Sequence, residues 1–132
     1  MSVNLPRNED YMRFNLPALM ARDVKKLSPD SGLWVRDESW YAEIREKYRS
    51  LFNFFRENSL VCNDQLPANF DVEEVVLFNS AFTEAGRALL DSGSVDRWIR
   101  SFDKPGSNKR FSDISKLELA LKKIVGELPR SR

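Results

Sequence analysis

The sequence predicts an all-α fold, a compact single-domain bundle of five to six helices over residues 15–128. An irregular arm is expected at residues 1–14 and a frayed tail at 129–132. Three observations favour this fold class. Most apolar residues recur at the three- and four-residue spacing of one helix face. The segments between these stripes are short, polar and rich in loop-forming residues. The chain of 132 residues is 42% hydrophobic, which suits one core.

The first helix is predicted to follow the N-terminal arm directly. Asn15 is a suitable N-cap, and Pro17 falls in the first turn, where a missing N–H costs little. The apolar residues that follow share one helical face; they are Leu16, Leu19, Met20, Val24 and Leu27. Residues 28–32 include a proline and a glycine, which should end this helix and turn the chain.

The second helix is predicted from its cap and from a wide apolar stripe. Asp37 can cap it, and Glu38 lies in the first turn, where a carboxylate interacts favourably with the helix dipole. The members of the stripe are Trp40, Tyr41, Ile44, Tyr48, Leu51, Phe52 and Phe55. Asn58 is of a type that ends helices in the left-handed conformation. About 20 residues give a length of roughly 30 Å, enough for the central helix of a small bundle.

The middle of the chain is predicted as a loop followed by an ambiguous run. Residues 59–71 contain Pro67 and several polar residues, which indicate a loop. Residues 72–78 leave two alternatives open: the β-branched residues favour a strand, whereas the length and the acidic residues also permit a short helix. Since no second strand-like run appears in the sequence, we expect a helix.

Two short helices are predicted next. The first begins at Ser80 or Thr83 and ends at Ser92 and Gly93, which are typical of a helix stop. Ser94 can cap the second short helix. Its apolar residues lie three and one positions apart, as one helix face requires; they are Val95, Trp98, Ile99 and Phe102.

The last helix is predicted to follow a loop at residues 103–108. It should begin at Ser112 or Asp113, and Ser115 with Glu118 matches a capping box one turn later. The residues expected on its core face are Ile114, Leu117, Leu121, Ile124, Val125 and Leu128. These assignments complete a bundle in which every core-forming segment is helical.

The composition argues against catalysis. The chain has no histidine and one cysteine, Cys62, which excludes histidine-dependent acid–base chemistry and thiolate metal sites within one chain. No glycine pattern matches a phosphate-binding loop. Asp71, Glu73 and Glu74 form a carboxylate cluster, but catalytic carboxylates need burial to shift their pKa, so solvated charge is the simpler interpretation. We therefore expect no catalytic residue, no metal and no cofactor.

The sequence also bears on the compartment. The N-terminal residues lack the apolar segment of a secretory signal, and no apolar run is long enough to cross a bilayer. A single cysteine cannot form an intrachain disulfide, which fits a reducing environment. We expect a soluble cytoplasmic protein that does not enter a membrane.

Charge is distributed unevenly along a chain whose formal net charge is +1. Residues 57–86 contain six carboxylates and no lysine or arginine, a pattern that predicts an acidic surface and a basic protein partner. The residues expected to bind this partner are Asp64, Phe70, Asp71, Glu73, Glu74, Phe78 and Glu84. Two alternatives stay open: these acids only interact with solvent, or they pair with the basic C-terminal helix.

A second hypothesis is nucleic-acid binding by the C-terminal third. Residues 101–132 contain twice as many basic as acidic residues, and basic side chains can neutralise phosphates. The candidate residues are Lys109, Arg110, Lys116, Lys122 and Lys123. The pattern contains no recognisable reading helix, so a solvated helix face is the simpler interpretation. Aromatic residues lining a small-molecule pocket are a third alternative, although such residues mostly form core; they are Trp34, Trp40, Tyr41 and Trp98.

Three short segments carry a resemblance to a known class of protein: FTEAG at residues 82–86, VDRWIRSFD at 95–103 and DISKLE at 113–118. They resemble the C-terminal half of small bacterial proteins of the polymorphic-toxin immunity type. The resemblance covers about the last 50 residues and indicates no single family within this class. It implies a cytoplasmic inhibitor that binds and neutralises a cognate toxin domain, often a nuclease, without catalysis of its own. It supplies no contact residues, because immunity proteins recognise toxins with individually varied surfaces.

Overall fold

A computed structural model of the chain describes residues 10–104, 106 and 109–127. Along these residues, five α-helices are combined with four short strands that pair into two separate antiparallel sheets. The all-α prediction is therefore wrong, and the fold is mixed α and β. The elements in chain order are β1 Met12–Asn15, α1 Leu16–Met20, β2 Lys25–Leu27, β3 Trp34–Arg36, α2 Glu38–Glu57, β4 Val76–Phe78, α3 Glu84–Asp91, α4 Ser94–Ser101 and α5 Ser115–Glu127.

The first sheet joins the end of the predicted N-terminal arm to the run at residues 72–78 that the sequence left ambiguous. β1 pairs antiparallel with β4, so that Met12 lies opposite Phe78 and Asn15 opposite Val76. A short 3-10 helix, Val72–Glu74, precedes β4. The expectation of a helix over 72–78 is wrong for its second half, because a pairing strand does exist. The partner of β4 is β1, which includes residues 12–14 of the predicted irregular arm. Residues 1–9 of that arm lie outside the described part of the chain.

A β-bulge in β1 explains why this strand shows no alternating pattern. Met12 and Phe14 would share a face in a regular strand, but the register shifts between them, so Phe14 lies opposite Leu77. Met12 consequently faces outward, whereas the Phe14 ring packs edge-on against Phe52 with centroids 5.5 Å apart. Leu77 is fully buried beside it. The bulge thus directs one aromatic residue into the core and leaves one methionine on the surface.

The helix predicted from Asn15 to Leu27 is two different elements. α1 covers only Leu16–Met20, capped by the Asn15 Oδ1, which accepts a bond from the Ala18 N–H at 3.1 Å. The chain then enters a hairpin in which β2 and β3 pair antiparallel. Gly32 adopts a φ of +71° in the connecting turn, a conformation that suits glycine. The apolar spacing that indicated one helix therefore spans a helix and a strand.

The Tyr41 hydroxyl attaches this hairpin to α2. It donates a hydrogen bond to the Arg22 carbonyl and accepts one from the Val24 N–H at 2.9 Å. The Asp37 N–H donates to the Val24 carbonyl at 2.9 Å. Because Tyr41 is fully buried, these bonds fix the base of the hairpin against the first turns of α2.

The central helix is confirmed at both ends. Asp37 caps α2 by accepting a bond from the Trp40 N–H at 3.2 Å, and Asn58 follows its last residue. The left-handed residue is Ser59, with a φ of +55°, rather than Asn58 as predicted. The helix buries seven side chains; they are Tyr41, Ile44, Lys47, Leu51, Phe52, Phe54 and Phe55. This wide buried face makes α2 the helix around which the core is built.

The three C-terminal helices lie where the sequence predicted them, although α5 begins at Ser115 and not at Ser112 or Asp113. Thr83 caps α3 by accepting a bond from the Gly86 N–H at 3.3 Å. The predicted cap of α4 is wrong, because the left-handed Gly93 occupies the cap position and Ser94 is the first helical residue. α5 begins at Ser115, where the Asp113 carboxylate accepts bonds from the backbone N–H and the hydroxyl of that residue. The capping box is wrong, since the Glu118 N–H donates to the Ile114 carbonyl at 2.9 Å and not to the Ser115 hydroxyl.

The core face of α5 is partly as predicted. Leu117 and Leu121 are buried, whereas Val125 is exposed. Leu128 and the predicted tail lie outside the described residues. Among the helices of the described chain, none combines the length and the apolar character that crossing a membrane requires.

Candidate functional site

The acidic stretch at residues 57–86 folds back on itself. Val61 and Phe82 form an antiparallel bridge, and the Cys62 N–H donates to the Ala81 carbonyl at 2.8 Å. The chain that precedes the 3-10 helix therefore runs beside the chain that follows β4. This arrangement separates the acidic residues into two groups, one near the 3-10 helix and one near the start of α3.

The first group borders a shallow groove of about 280 Å³. Phe70, Asp71, Glu74 and Val76 line this groove together with the 65–67 segment. The Asp71 Oδ1 accepts a bond from the Glu73 N–H at 3.2 Å and so caps the 3-10 helix. Glu74 is exposed on the same short helix. The local turn geometry thus holds two carboxylates at the rim of a partly apolar groove.

Apolar side chains continue from this groove across the outer face of the first sheet. Val76 and Phe78 occupy alternate positions of β4 and are 37% and 40% exposed, and Met12, opposite Phe78, is 45% exposed. Asp71 and Glu74 line the groove, and the exposed Asp64 immediately precedes Gln65 of its lining. These three acids, together with Val76, Phe78 and Met12, form what we call the acidic face. A surface of this kind joins apolar contact area to a negatively charged rim.

The two phenylalanines predicted as anchors differ in their surroundings. Phe78 projects from the acidic face and is available to a partner. Phe70 is half-buried, and its ring lies edge-on against Phe52 with centroids 6.0 Å apart. Phe70 therefore both packs against the core and lines the groove.

The second group of acids lies where α2 ends and α3 begins. Glu57 is the last residue of α2, and Glu84 is the first residue of α3. The Thr83 hydroxyl, next to Glu84, donates to the Ser59 carbonyl at 3.0 Å, which brings these two helix ends together. Glu84 is therefore exposed but separate from the acidic face, so the structure does not unite all the predicted partner-binding residues.

The carboxylates of the acidic face have no ion pair with any described residue. Within the same part of the chain, the one acid of the 57–86 stretch that does is Glu73, whose Oε2 lies 3.5 Å from the Nη1 of Arg45 on α2. The flanking arginines bond to backbone instead: Arg56 donates to the Leu66 carbonyl at 2.9 Å, and Arg87 donates to the Phe82 carbonyl at 2.6 Å. None of the described lysines of α5 is paired with these acids.

Comparisons with known proteins add nothing to this geometry. No family model, curated protein or solved structure matches the chain. The resemblance to immunity-type proteins therefore stays a prediction, and the function must be inferred from where the side chains lie. In the described residues, no group of three or more acidic or cysteine side chains is placed to hold a metal ion.

The predicted nucleic-acid residues are divided among different surroundings. Lys109 pairs with Glu43 of α2, with the Nζ and Oε1 atoms 3.1 Å apart, and Arg110 is exposed in the loop before α5. Lys116 and Lys123 line a groove between α4 and α5, whereas Lys122 does not. The predicted nucleic-acid-binding residues therefore do not share one surface. Two of them, Lys116 and Lys123, line a groove that also includes residues from α4.

Lys47 is the one buried charged side chain in the described part of the chain. Its Nζ donates to the Ile99 carbonyl at 3.3 Å, near the C-terminal end of α4, and lies 3.8 Å from the Asp103 carboxylate. Burial lowers the pKa of Lys47, although Asp103 and Glu43 oppose this effect. These contacts connect α2 to α4, which is a structural role.

The hairpin is an exposed apolar feature that the prediction of a helix over 15–27 concealed. Trp34 is 67% exposed at the start of β3. Its large apolar neighbours on the hairpin are also exposed; they are Leu27, Leu33 and Val35. The signal was present in the sequence, since two short runs flank a turn rich in proline, aspartate, serine and glycine. Cys62 is exposed as well.

Proposed function

We propose that this protein is a non-enzymatic binding module that occludes a basic protein partner with its acidic face. The observation that carries this proposal is the absence of any cation paired with Asp64, Asp71 or Glu74 among the described residues. A carboxylate without an internal partner keeps its full attraction for an external cation. The exposed side chains of Met12 and Phe78 supply apolar contact area beside this charge.

The two kinds of residue would contribute differently to binding. Rim carboxylates accelerate encounter with a positively charged partner, and this effect weakens as salt screens the charges. Apolar side chains at the centre of a contact mainly determine how slowly the complex dissociates. Asp64 and Glu74 therefore have the first role in our proposal, and Phe78 has the second.

The resemblance to immunity-type proteins makes a bacterial toxin domain in the cytoplasm the first partner to test. If that domain is a nuclease, the carboxylates would occupy the positive surface that ordinarily binds phosphates. The toxin and immunity genes of such pairs are expected to be neighbours. The product of an adjacent reading frame is thus the partner to purify.

The experiment compares charge reversal on and off the acidic face. The test variant combines Asp64→Lys with Glu74→Lys. The control combines Asp30→Lys with Glu46→Lys, which changes the net charge by the same amount at exposed acids outside the acidic face. Asp71 is left unchanged because it caps the 3-10 helix. We expect the first double variant to associate with the partner about tenfold more slowly at low salt, while the control pair retains the wild-type rate.

Dissociation provides an independent measurement. Phe78→Ser should raise the dissociation rate in surface-immobilised binding while leaving the association rate almost unchanged. If both charge-reversal variants associate at the wild-type rate, the acidic face is not the binding surface. If the wild-type protein does not bind the neighbouring gene product at all, the immunity-type part of the proposal is wrong.

A further inference from the structure

The groove between α4 and α5 collects cations that the acidic-face proposal does not use. Its first part has a volume of about 360 Å³ and is lined by Arg97, Lys104 and Lys116. Its second part, of about 520 Å³, is lined by Arg97 and Lys123. Because both parts share Ser94, Arg97 and Ala120, they form one continuous groove, which we call the cationic groove.

The two helices that form the cationic groove run antiparallel. Ser101, the last residue of α4, and Lys104, which follows this helix, line the same part as Lys116 at the start of α5. Ser94, at the start of α4, lines the same part as Lys123 near the end of α5. Lys116 and Lys123 are seven residues apart, so a rise of 1.5 Å per residue separates them by about 10 Å along the groove. Arg97 contributes to both parts.

The described structure gives these cations little counter-charge. No carboxylate lines either part of the groove, and none of its four cations belongs to an ion pair among the described residues. Asp96 pairs with Arg100 at 2.7 Å, and the Asp113 carboxylate accepts bonds from Ser115, although its charge also interacts with Lys116. The positive potential of the four groove cations is therefore directed mainly at solvent.

We propose that the cationic groove binds the phosphate backbone of a nucleic-acid strand. A single phosphate would need one cluster of donors, whereas cations spread over about 10 Å suit several phosphates in series. Trp98 lines the groove but is only 4% exposed, and its Nε1 donates to the Asp113 carbonyl at 3.0 Å. It is thus not available to stack on bases, so binding would not depend on base sequence.

Salt dependence gives this proposal a quantitative test. Four phosphate contacts on a single strand predict a slope of about −3 in a plot of log affinity against log salt. The affinity should fall about 50-fold between about 50 and 200 mM salt. Lys116→Gln combined with Lys123→Gln removes two of the four contacts, which should roughly halve the slope.

The measurement is the fluorescence anisotropy of a labelled oligothymidylate of about twelve nucleotides, titrated with the full chain. The matched control is Lys122→Gln combined with Lys25→Gln, which removes the same charge from lysines outside the groove. We expect at least tenfold weaker binding at low salt for the groove variant and no more than a twofold change for the control. Circular dichroism should show the same helix content in all three proteins.

Several results would overturn the proposal. Equal loss of affinity in the groove and control variants would mean that net charge, not the groove, attracts the oligonucleotide. Failure of the wild-type protein to bind the oligonucleotide at low salt would refute it directly. Binding to phosphatidylserine vesicles or to a phosphoserine peptide without binding to the oligonucleotide would assign the groove to a different class of ligand. The outcome does not depend on the acidic face, because no residue is shared between the two sites.

Discussion

Replacing Gly86 by alanine tests the packing between α3 and the end of α2. A Cβ atom at this position would lie 2.1 Å from the Leu60 carbonyl oxygen and 3.2 Å from the Cδ1 atom of Phe82. The same carbonyl oxygen accepts a hydrogen bond from the Thr83 N–H at 3.0 Å, at the N-cap of α3. The added methyl group therefore collides with backbone that cannot move away without weakening this bond.

The magnitude follows from three contributions. Overpacking of a well-filled site costs about 1–3 kcal/mol, and weakening the hydrogen bond adds about 1 kcal/mol. Alanine is favoured over glycine in a helix by at most about 1 kcal/mol, which offsets part of the cost. We expect Gly86→Ala to lower the free energy of unfolding by about 2–3 kcal/mol and Tm by roughly 10 °C.

Gly126→Ala is the matched control. Gly126 also lies in a helix, α5, but a Cβ atom there would have no heavy atom within 4 Å. Only the helix preference then acts, so the free energy of unfolding should rise by up to about 1 kcal/mol. Urea denaturation followed by circular dichroism measures both changes. If Gly86→Ala is as stable as the wild type, the close approach of α3 to Leu60 is wrong.

Two further substitutions have defined outcomes. Because burial lowers the pKa of Lys47, the unfolded chain binds the proton more tightly, and Lys47 should contribute a rise in the free energy of unfolding as pH approaches 10.5 from below. Urea denaturation at successive pH values measures this contribution, which Lys47→Met should lack. If the variant and the wild type show the same pH dependence, the Lys47 charge is not buried. Tyr41→Phe removes the bonds to Arg22 and Val24, which should destabilise the protein by about 1–3 kcal/mol. In Tyr41→Phe, backbone amide hydrogen exchange should become faster in the hairpin but not in α3. An equal increase in both would contradict the conclusion that Tyr41 attaches the hairpin to α2.

Local signals made some elements predictable. α2 and α3 were recognised because their caps, Asp37 and Thr83, and their apolar spacing all lie within a few residues of each other. The strands depend instead on partners distant in sequence: β1 pairs with β4 more than sixty residues away. A four-residue strand with a bulge has no periodic pattern from which such a partner could be found.

The candidate site shows the same division. The concentration of acids at residues 57–86 is visible in the sequence, but its separation into two groups is not, because a non-local bridge between Val61 and Phe82 produces it. The pairing of Glu73 with Arg45 likewise joins distant parts of the chain. The cationic groove cannot be predicted from the basic C-terminal third alone, because Arg97, which contributes to both parts of the groove, lies on α4.

The extra residue in β1 has a consequence for how this surface can vary. Deleting Met12 would restore strict alternation, with Arg13 opposite Phe78 and Phe14 still opposite Leu77, so a cation would replace the methionine on the outer face while the strands still paired. A single-codon deletion could thus change the charge of this surface and leave the overall architecture intact. If the acidic face binds a partner as we propose, such a change offers a route to a new binding specificity in one step.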